Sequence, residues 1–374
     1  MRPRRLSIDP HRRIRRAAPS LQWRMARPTS ATIHTDALRH NLSQVRARAP
    51  GSRVMAVVKA DGYGHGLERV ARALAGADAF GVAALSDAER LRAAGLSQRI
   101  VLLSGFDEAS DLPQLRRLGV DTVVHHESQL AMLEADREPE PIRVWLKLDT
   151  GMHRLGFAPA LADQVHGRLR ALANVDDEIV LMTHFASSDE FGGAQTLAQL
   201  AQFGNSAAVL SGCASLANSA AVLGWPDAHR DWVRAGGALY GLSVVEGSSG
   251  SDFGLKPAMT LSTRLIAINR VAKGERIGYS ATWQCPEDMD VGVAAIGYGD
   301  GYPRAGQAPY RSDPVPVRPR GGDRLRPPAD RRRRPSPASS SPRTRRPASP
   351  RSSRRRARPR ASRMARPRRR RRAR

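Results

Sequence analysis

From residue 53 onward, short β-branched and apolar runs alternate with amphipathic helical stretches, and this alternation restricts the chain to very few architectures. Strands are expected at 53–59, 79–84, 99–104, 120–124, 142–148 and 179–184, with weaker runs near 213–217 and 231–234. Helical patterns lie between them: Leu67 to Leu74, Asp87 to Ala94, Ser128 to Ala135, Leu161 to Ala173 and Gln195 to Leu210. About eight strand–helix repeats over roughly 200 residues imply an α/β fold with a parallel sheet, and a closed (β/α)8 TIM barrel suits that count. A doubly wound open sheet is the alternative.

The pattern changes after Lys256-Pro257. Met259 to Val271 reads as a long strand, and Glu275 to Trp283 and Val291 to Gly297 read as further strands joined by turns. This looks like the opening of a C-terminal all-β domain. Periodicity is then lost between Ala305 and Arg311, and the large apolar residues of 311–374 are Val315, Val317, Leu325 and Met364. Ordering a residue costs about 1–2 kcal/mol of backbone entropy, so a segment with this little to bury is expected to be disordered. The expected organisation is a disordered extension 1–24, a barrel 25–255, an incomplete β-domain 256–310 and a disordered Arg/Pro-rich tail 311–374.

The net charge of +26 sits at the two ends. Residues 311–374 hold 26 Arg against three acids, and residues 1–24 hold eight Arg against one Asp. Between 25 and 310 there are 27 basic and 31 acidic residues, so the charge says nothing about the partners of the middle. The tail reads either as a nucleic-acid-binding segment or as a shifted reading frame in a GC-rich gene, and the break inside a β-domain favours the second. Met25-Ala26-Arg27-Pro28 resembles a second start, and the first 24 residues do not read as a secretory signal. No apolar run reaches the ~18 residues of a membrane span. Cys213 and Cys285 give no disulfide framework or metal spacing, which suits a reducing, cytoplasmic compartment.

Of 61 Lys plus Arg, four are lysines: Lys59, Lys147, Lys256 and Lys273. A lysine kept in so arginine-rich a chain is expected to serve as an amine, because an amine deprotonates and attacks carbonyls whereas guanidinium stays charged. Lys59 follows the apolar run Val54–Val58 and enters the turn Ala60-Asp61-Gly62-Tyr63-Gly64-His65-Gly66; a snorkelling surface lysine is the bland alternative. In a barrel, chemistry sits at the carboxyl ends of strands. Lys59, Lys147 with Asp149, Thr183-His184, Asn218-Ser219 and Arg234 with Gly236-Gly237 all fall at such ends. An amine for an aldehyde, a neutral cradle of Ser219 and the Gly236 and Gly237 amides, and an arginine together suggest pyridoxal phosphate. Each piece alone is weak, and a lone His184 is more often a core imidazole.

The blocks Val-Val-Lys59-Ala-Asp-Gly-Tyr63-Gly-His-Gly, Lys147-Leu-Asp-Thr-Gly-Met-His-Arg154-Leu-Gly-Phe, Thr-His184-Phe-Ala and Ala-Asn218-Ser219-Ala are distinctive. So are Arg234-Ala-Gly236-Gly237-Ala-Leu-Tyr-Gly, Gly-Tyr279-Ser-Ala-Thr-Trp and Gly-Tyr298-Gly-Asp-Gly-Tyr. In order and spacing they resemble the signature blocks of bacterial alanine racemases, over roughly residues 25–305. The resemblance implies a fold-type III pyridoxal-phosphate enzyme working as a head-to-tail homodimer and supplying D-alanine for peptidoglycan. It implies that Lys59 carries the cofactor and exchanges the α-proton on one face. Tyr279, lent by the partner subunit, would do so on the other. Arg234 and His184 would serve the cofactor ring, and Tyr63, Asn218, Ser219, Gly236 and Gly237 its phosphate. Arg154 would bind the substrate carboxylate, Tyr298 would line the entry, and Lys147 would be carbamylated; a plain ion pair with Asp149 or a nearby carboxylate is the alternative for that lysine. The family usually has Pro and a branched residue where Ala235 and Gly237 stand, and its later β-domain motifs have no counterpart after Ala305.

A non-catalytic pyridoxal-phosphate-binding barrel is the competing reading, against which Gly278-Tyr279-Ser280 speaks.

Overall fold

Eight of the expected apolar runs pair in sequence order and close on themselves in the computed structural model, which describes residues 28–302 apart from Val209 and Ser211. After β1 (Ser30–Ile33) come β2 (Arg53–Val57), β3 (Ala79–Val82), β4 (Arg99–Leu102), β5 (Val120–Val124) and β6 (Val144–Lys147). Then follow β7 (Val180–Met182), β8 (Ala214–Ser215) and β9 (Trp232–Ala235). All neighbours from β2 to β9 are parallel, and β9 returns to β2 with Met55 opposite Arg234. That closure rules out the open doubly wound sheet.

Parallel strands buried on both faces need apolar residues on both, which explains the continuous runs. Met55, Ala79, Val101, Val123, Trp145, Val180, Met182 and Trp232 point inward and fill the barrel. Their chain neighbours, such as Val54, Ala56, Phe80, Ile100, Leu102 and Val144, pack outward against the helices. The helices Leu67–Ala73, Leu85–Ala93, Glu127–Ala135, Ala162–Arg170 and Ala194–Ala207 lie within a few residues of their expected positions.

The β-rich part departs from expectation in two places. The long strand is two: β10 (Met259–Ser262), which pairs antiparallel with β1, and β11 (Leu265–Val271), which pairs with β14 (Met289–Ala294). The break falls where Thr263 bonds the Thr29 hydroxyl at 3.0 Å and Arg264 O accepts from Ala295 N at 3.0 Å, so the chain changes partners there. The expected strand Glu275–Trp283 is a tight hairpin of β12 (Arg276–Ile277) and β13 (Trp283–Gln284). Gly278 at φ 79°, Ser280 at φ 61° and Ala281 at φ 49° reverse the chain and put Tyr279 at the tip. The expected extension 1–24 and tail 311–374 lie outside the described residues.

Candidate active site

β2 stops at Val57, two residues before Lys59, although Val58 N still donates to Gly81 O at 2.9 Å. The chain then turns left-handed: Ala60, Asp61, Gly62, Tyr63 and Gly64 have φ of 55°, 52°, 63°, 53° and 78°. Such a conformation costs a residue with a Cβ about 1–2 kcal/mol, so something must hold it. Asp61 does: its Oδ1 accepts from Leu67 N at 3.1 Å and Arg90 Nη2 at 2.9 Å. Gly62 N also reaches back to Val58 O at 2.9 Å, and a Cβ on Gly62 would sit 2.9 Å from Val70 Cγ2. The result places Lys59 and Tyr63, four residues apart, on one cavity wall.

The turn after β6 is built around Asp149. Its Oδ1 accepts the amides of Gly151, Met152 and His153 at 3.0, 3.0 and 2.9 Å. Phe157 closes the loop, donating to Lys147 O and accepting from Asp149 N, both at 2.9 Å. Gly156 has to be glycine, because at φ 133° a Cβ would lie 2.6 Å from Asp149 N. Arg154 is thereby presented to the cavity. The Asp149 carboxylate serves its own loop, with Oδ2 at 3.4 Å from His153 Nδ1, rather than pairing with Lys147.

A cavity of about 1020 Å³ at the carboxyl ends of the strands gathers ten of the twelve expected residues. These are Lys59, Tyr63, Lys147, Arg154, His184, Asn218, Ser219, Arg234, Gly236 and Gly237. At one end the groups are neutral. Ser219 Oγ accepts from Gly236 N at 2.7 Å and Ala238 N at 3.3 Å. The Asn218 carboxamide oxygen accepts from Ala221 N at 3.1 Å and Ser188 Oγ at 2.8 Å, which fixes the segment carrying Ser219. Tyr63 stacks on Tyr240 at 4.6 Å, and a Cβ on Gly236 would lie 2.4 Å from the Tyr63 hydroxyl. The Ala238 amide was not foreseen, since a backbone donor leaves no mark in a side-chain pattern.

The other end is cationic. Arg234 is buried; Nη1 donates to Ser215 O at 2.8 Å and Ser215 Oγ at 2.7 Å, and Nη2 to Thr183 O at 2.6 Å and Leu216 O at 3.2 Å. Burial lowers its pKa to about 10, which leaves it charged at neutral pH. His184 Nδ1 lies 3.4 Å from Arg234 Nη2. Burial, then the charges of Arg234, Lys147, Arg154 and Lys59, push this imidazole down to about 3, so it is neutral. Burial, then Arg234 and Arg154, bring Lys147 to about 8. Lys59 is lowered by burial and by Arg154.

Tyr279 and Tyr298 lie outside this cavity, in the β-rich part, 78% and 61% exposed. A ready amine, a neutral cradle sealed by a glycine under a tyrosine hydroxyl, and a buried arginine suit pyridoxal phosphate, with its aldehyde, phosphate and ring.

Comparison with known proteins places this geometry. The family model "Alanine racemase, N-terminal domain" matches residues 33–244, and "Alanine racemase, C-terminal domain" matches 258–320. The alanine racemase of Shewanella baltica (strain OS185) is 52% identical over 274 residues, 73% of this chain and 76% of the relative. That of Shewanella denitrificans is 50% identical over 278 residues, 73% and 77% of the two chains. Among solved structures, biosynthetic alanine racemase from Pseudomonas aeruginosa superposes with TM-score 0.72 at 44% identity, covering 74% of this chain and 78% of its own. Alanine racemase from Acinetobacter baumannii gives 0.69 at 34% identity, covering 75% and 78%.

Proposed function

Because this chain belongs to the alanine racemase family of pyridoxal-phosphate-dependent isomerases, we propose that its barrel mouth interconverts L- and D-alanine by a two-base route, with Lys59 as one base and Tyr279 of the partner subunit as the other. The observation that carries this reading is the single cavity shared by Lys59, Arg154, Arg234 and the glycine-sealed cradle.

Lys59 would hold the cofactor covalently, with Tyr63, Ser219 and the Gly236 and Gly237 amides at its phosphate and Arg234 and His184 toward its ring. Bound there, pyridoxal phosphate supplies an electron sink for the pair left behind when the α-proton departs. Arg234 stays protonated near neutrality, so an atom facing it remains an acceptor. Arg154 takes the substrate carboxylate, which fixes which way the α-hydrogen points. Lys59 holds and moves that proton at one face of the α-carbon. Inversion needs a second group on the opposite face, because a proton taken from one side must return from the other. A tyrosine, with a reference pKa of ~10, is weakly basic and needs cationic surroundings to serve. The guanidinium groups of Arg154 and Arg234 would offer them.

Lys147, lowered to about 8, has a neutral amine available to add carbon dioxide, turning a cation into an anion near Arg154. The barrel would span 25–255 and the β-domain 256–310. The working unit would be a head-to-tail cytoplasmic homodimer, with Tyr298 at the entry, and D-alanine would go to peptidoglycan.

The test is spectroscopic and isotopic. Lys59→Ala is expected to lose the visible absorbance of lysine-bound cofactor. Tyr279→Phe is expected to keep it while blocking solvent-deuterium exchange from L-alanine more than from D-alanine. Equal loss from both enantiomers would contradict the two-base assignment.

A further inference from the structure

The helix Ala194–Ala207 runs outside the barrel, yet one of its polar side chains is completely buried. Gln199 reaches the backbone just past one barrel strand and a threonine hydroxyl just past its neighbour. Its Oε1 accepts from Ala186 N at 2.9 Å, just past β7. Its Nε2 donates to His184 O at 3.1 Å and to Thr150 Oγ1 at 3.2 Å, just past β6. The hydroxyls continue the relay: Thr150 Oγ1 lies 2.7 Å from Thr183 Oγ1, which donates to Leu148 O at 3.0 Å. One direction of donation satisfies every member, from Gln199 to Thr150 to Thr183 to Leu148. One turn earlier on the helix, Gln195 Nε2 donates to Gly151 O at 3.0 Å. Gly151, at φ 132°, leaves room for both: a Cβ there would lie 3.3 Å from Gln195 Nε2 and 3.4 Å from Gln199 Cγ.

What these bonds hold is the loop that presents Arg154 and the strand end that presents His184. The loop is organised from inside by Asp149, but Asp149 is itself part of the loop. Gln199 ties it to a separate element. We propose that Gln199 is a positioning residue for Arg154, acting through the Thr150 turn, and that it sets how well the site grips a carboxylate. The inference rests on the reading of Arg154 as the carboxylate-binding group. Gln199 touches neither cofactor nor substrate in that reading, and its effect is one of register.

The test uses the full chain loaded with pyridoxal phosphate and two variants, Gln199→Leu and the milder Thr150→Val, which removes the hydroxyl relay alone. Two quantities are read: the steady-state constants for L-alanine, and calorimetric titration with propionate, a carboxylate that cannot be racemised. Losing these buried hydrogen bonds should raise KM and the propionate Kd together, roughly tenfold for Gln199→Leu and roughly threefold for Thr150→Val. The turnover number and the visible cofactor absorbance should stay within about twofold of the parent. The proposal is overturned if both variants bind propionate like the parent, or if turnover and cofactor absorbance fall while propionate affinity holds. Parent chain that binds propionate without racemising alanine defeats the reading of the reaction, and the titration still decides the role of Gln199. Parent chain that binds no propionate overturns the proposal outright. If Gln199→Leu fails to fold, Thr150→Val carries the decision.

Discussion

Lys59, Lys147, Arg154, Arg234 and His184 line one cavity, where burial first and the neighbouring positive charges second lower the pKa of Lys59, Lys147 and His184. The consequence for Lys147 has a definite sign. Its folded value of about 8 lies below its ordinary 10.5, so folding disfavours its charged form. The penalty is fully present below pH 8 and is relieved as pH rises from 8 toward 10.5, where the unfolded chain binds the extra proton. The urea midpoint should therefore rise between pH 8 and 10 in carbonate-free buffer, and Lys147→Met should remove most of that rise; a slope unchanged by the substitution would refute it. At the cradle, Gly236→Ala would put a methyl 2.4 Å from the Tyr63 hydroxyl and displace it. The expected result is roughly tenfold weaker cofactor retention on gel filtration at little cost in melting temperature, the scale of one or two lost hydrogen bonds. Lys59 was legible in the sequence because its type is rare in this chain. Gln199 was not: a glutamine in a helix looks like surface until the neighbouring strand ends are in place.

At the level of the element, the barrel was legible because burial on both faces demands unbroken apolar runs, and each such run became a strand. The breaks at Thr263 and at Tyr279–Ala281 were not, since each depends on a partner strand distant in sequence. Nor was the pairing of β1 with β10, which joins segments 226 to 232 residues apart in register. The end of the barrel opposite the cavity is sealed by an ion cluster. Asp121, near the start of β5 and fully buried, accepts from Arg99 Nε at 2.5 Å, Arg143 Nε at 2.7 Å and Trp145 Nε1 at 2.9 Å. Removing one partner of such a group leaves uncompensated charge, so Asp121→Leu should cost about 3–5 kcal/mol in urea unfolding. A loss below about 1 kcal/mol would show that the cluster is well solvated. Whatever protein remains folded should keep its cofactor, because the cavity lies at the other end of the strands.

At the scale of the whole molecule, the cavity gathers Lys59 at the barrel mouth, while Tyr279, the second base of the proposed route, lies outside it in the β-rich part. Ile266, Ile268, Tyr279, Trp283 and Tyr298 are exposed there, an apolar surface that suits burial against another chain. Among the described residues no helix is long and apolar enough to cross a membrane. The family model for the C-terminal domain reaches residue 320, past the point at Ala305 where periodicity fades in the sequence. The central claim is that Lys59 of one subunit and Tyr279 of the partner subunit serve the same α-carbon, and mixing two inactive variants tests it most directly. Lys59→Ala and Tyr279→Phe chains, unfolded together and refolded, should form hybrid dimers in which one site regains both groups. Random pairing with one restored site per hybrid gives roughly a quarter of parental activity. A mixture no more active than its two components would contradict the account.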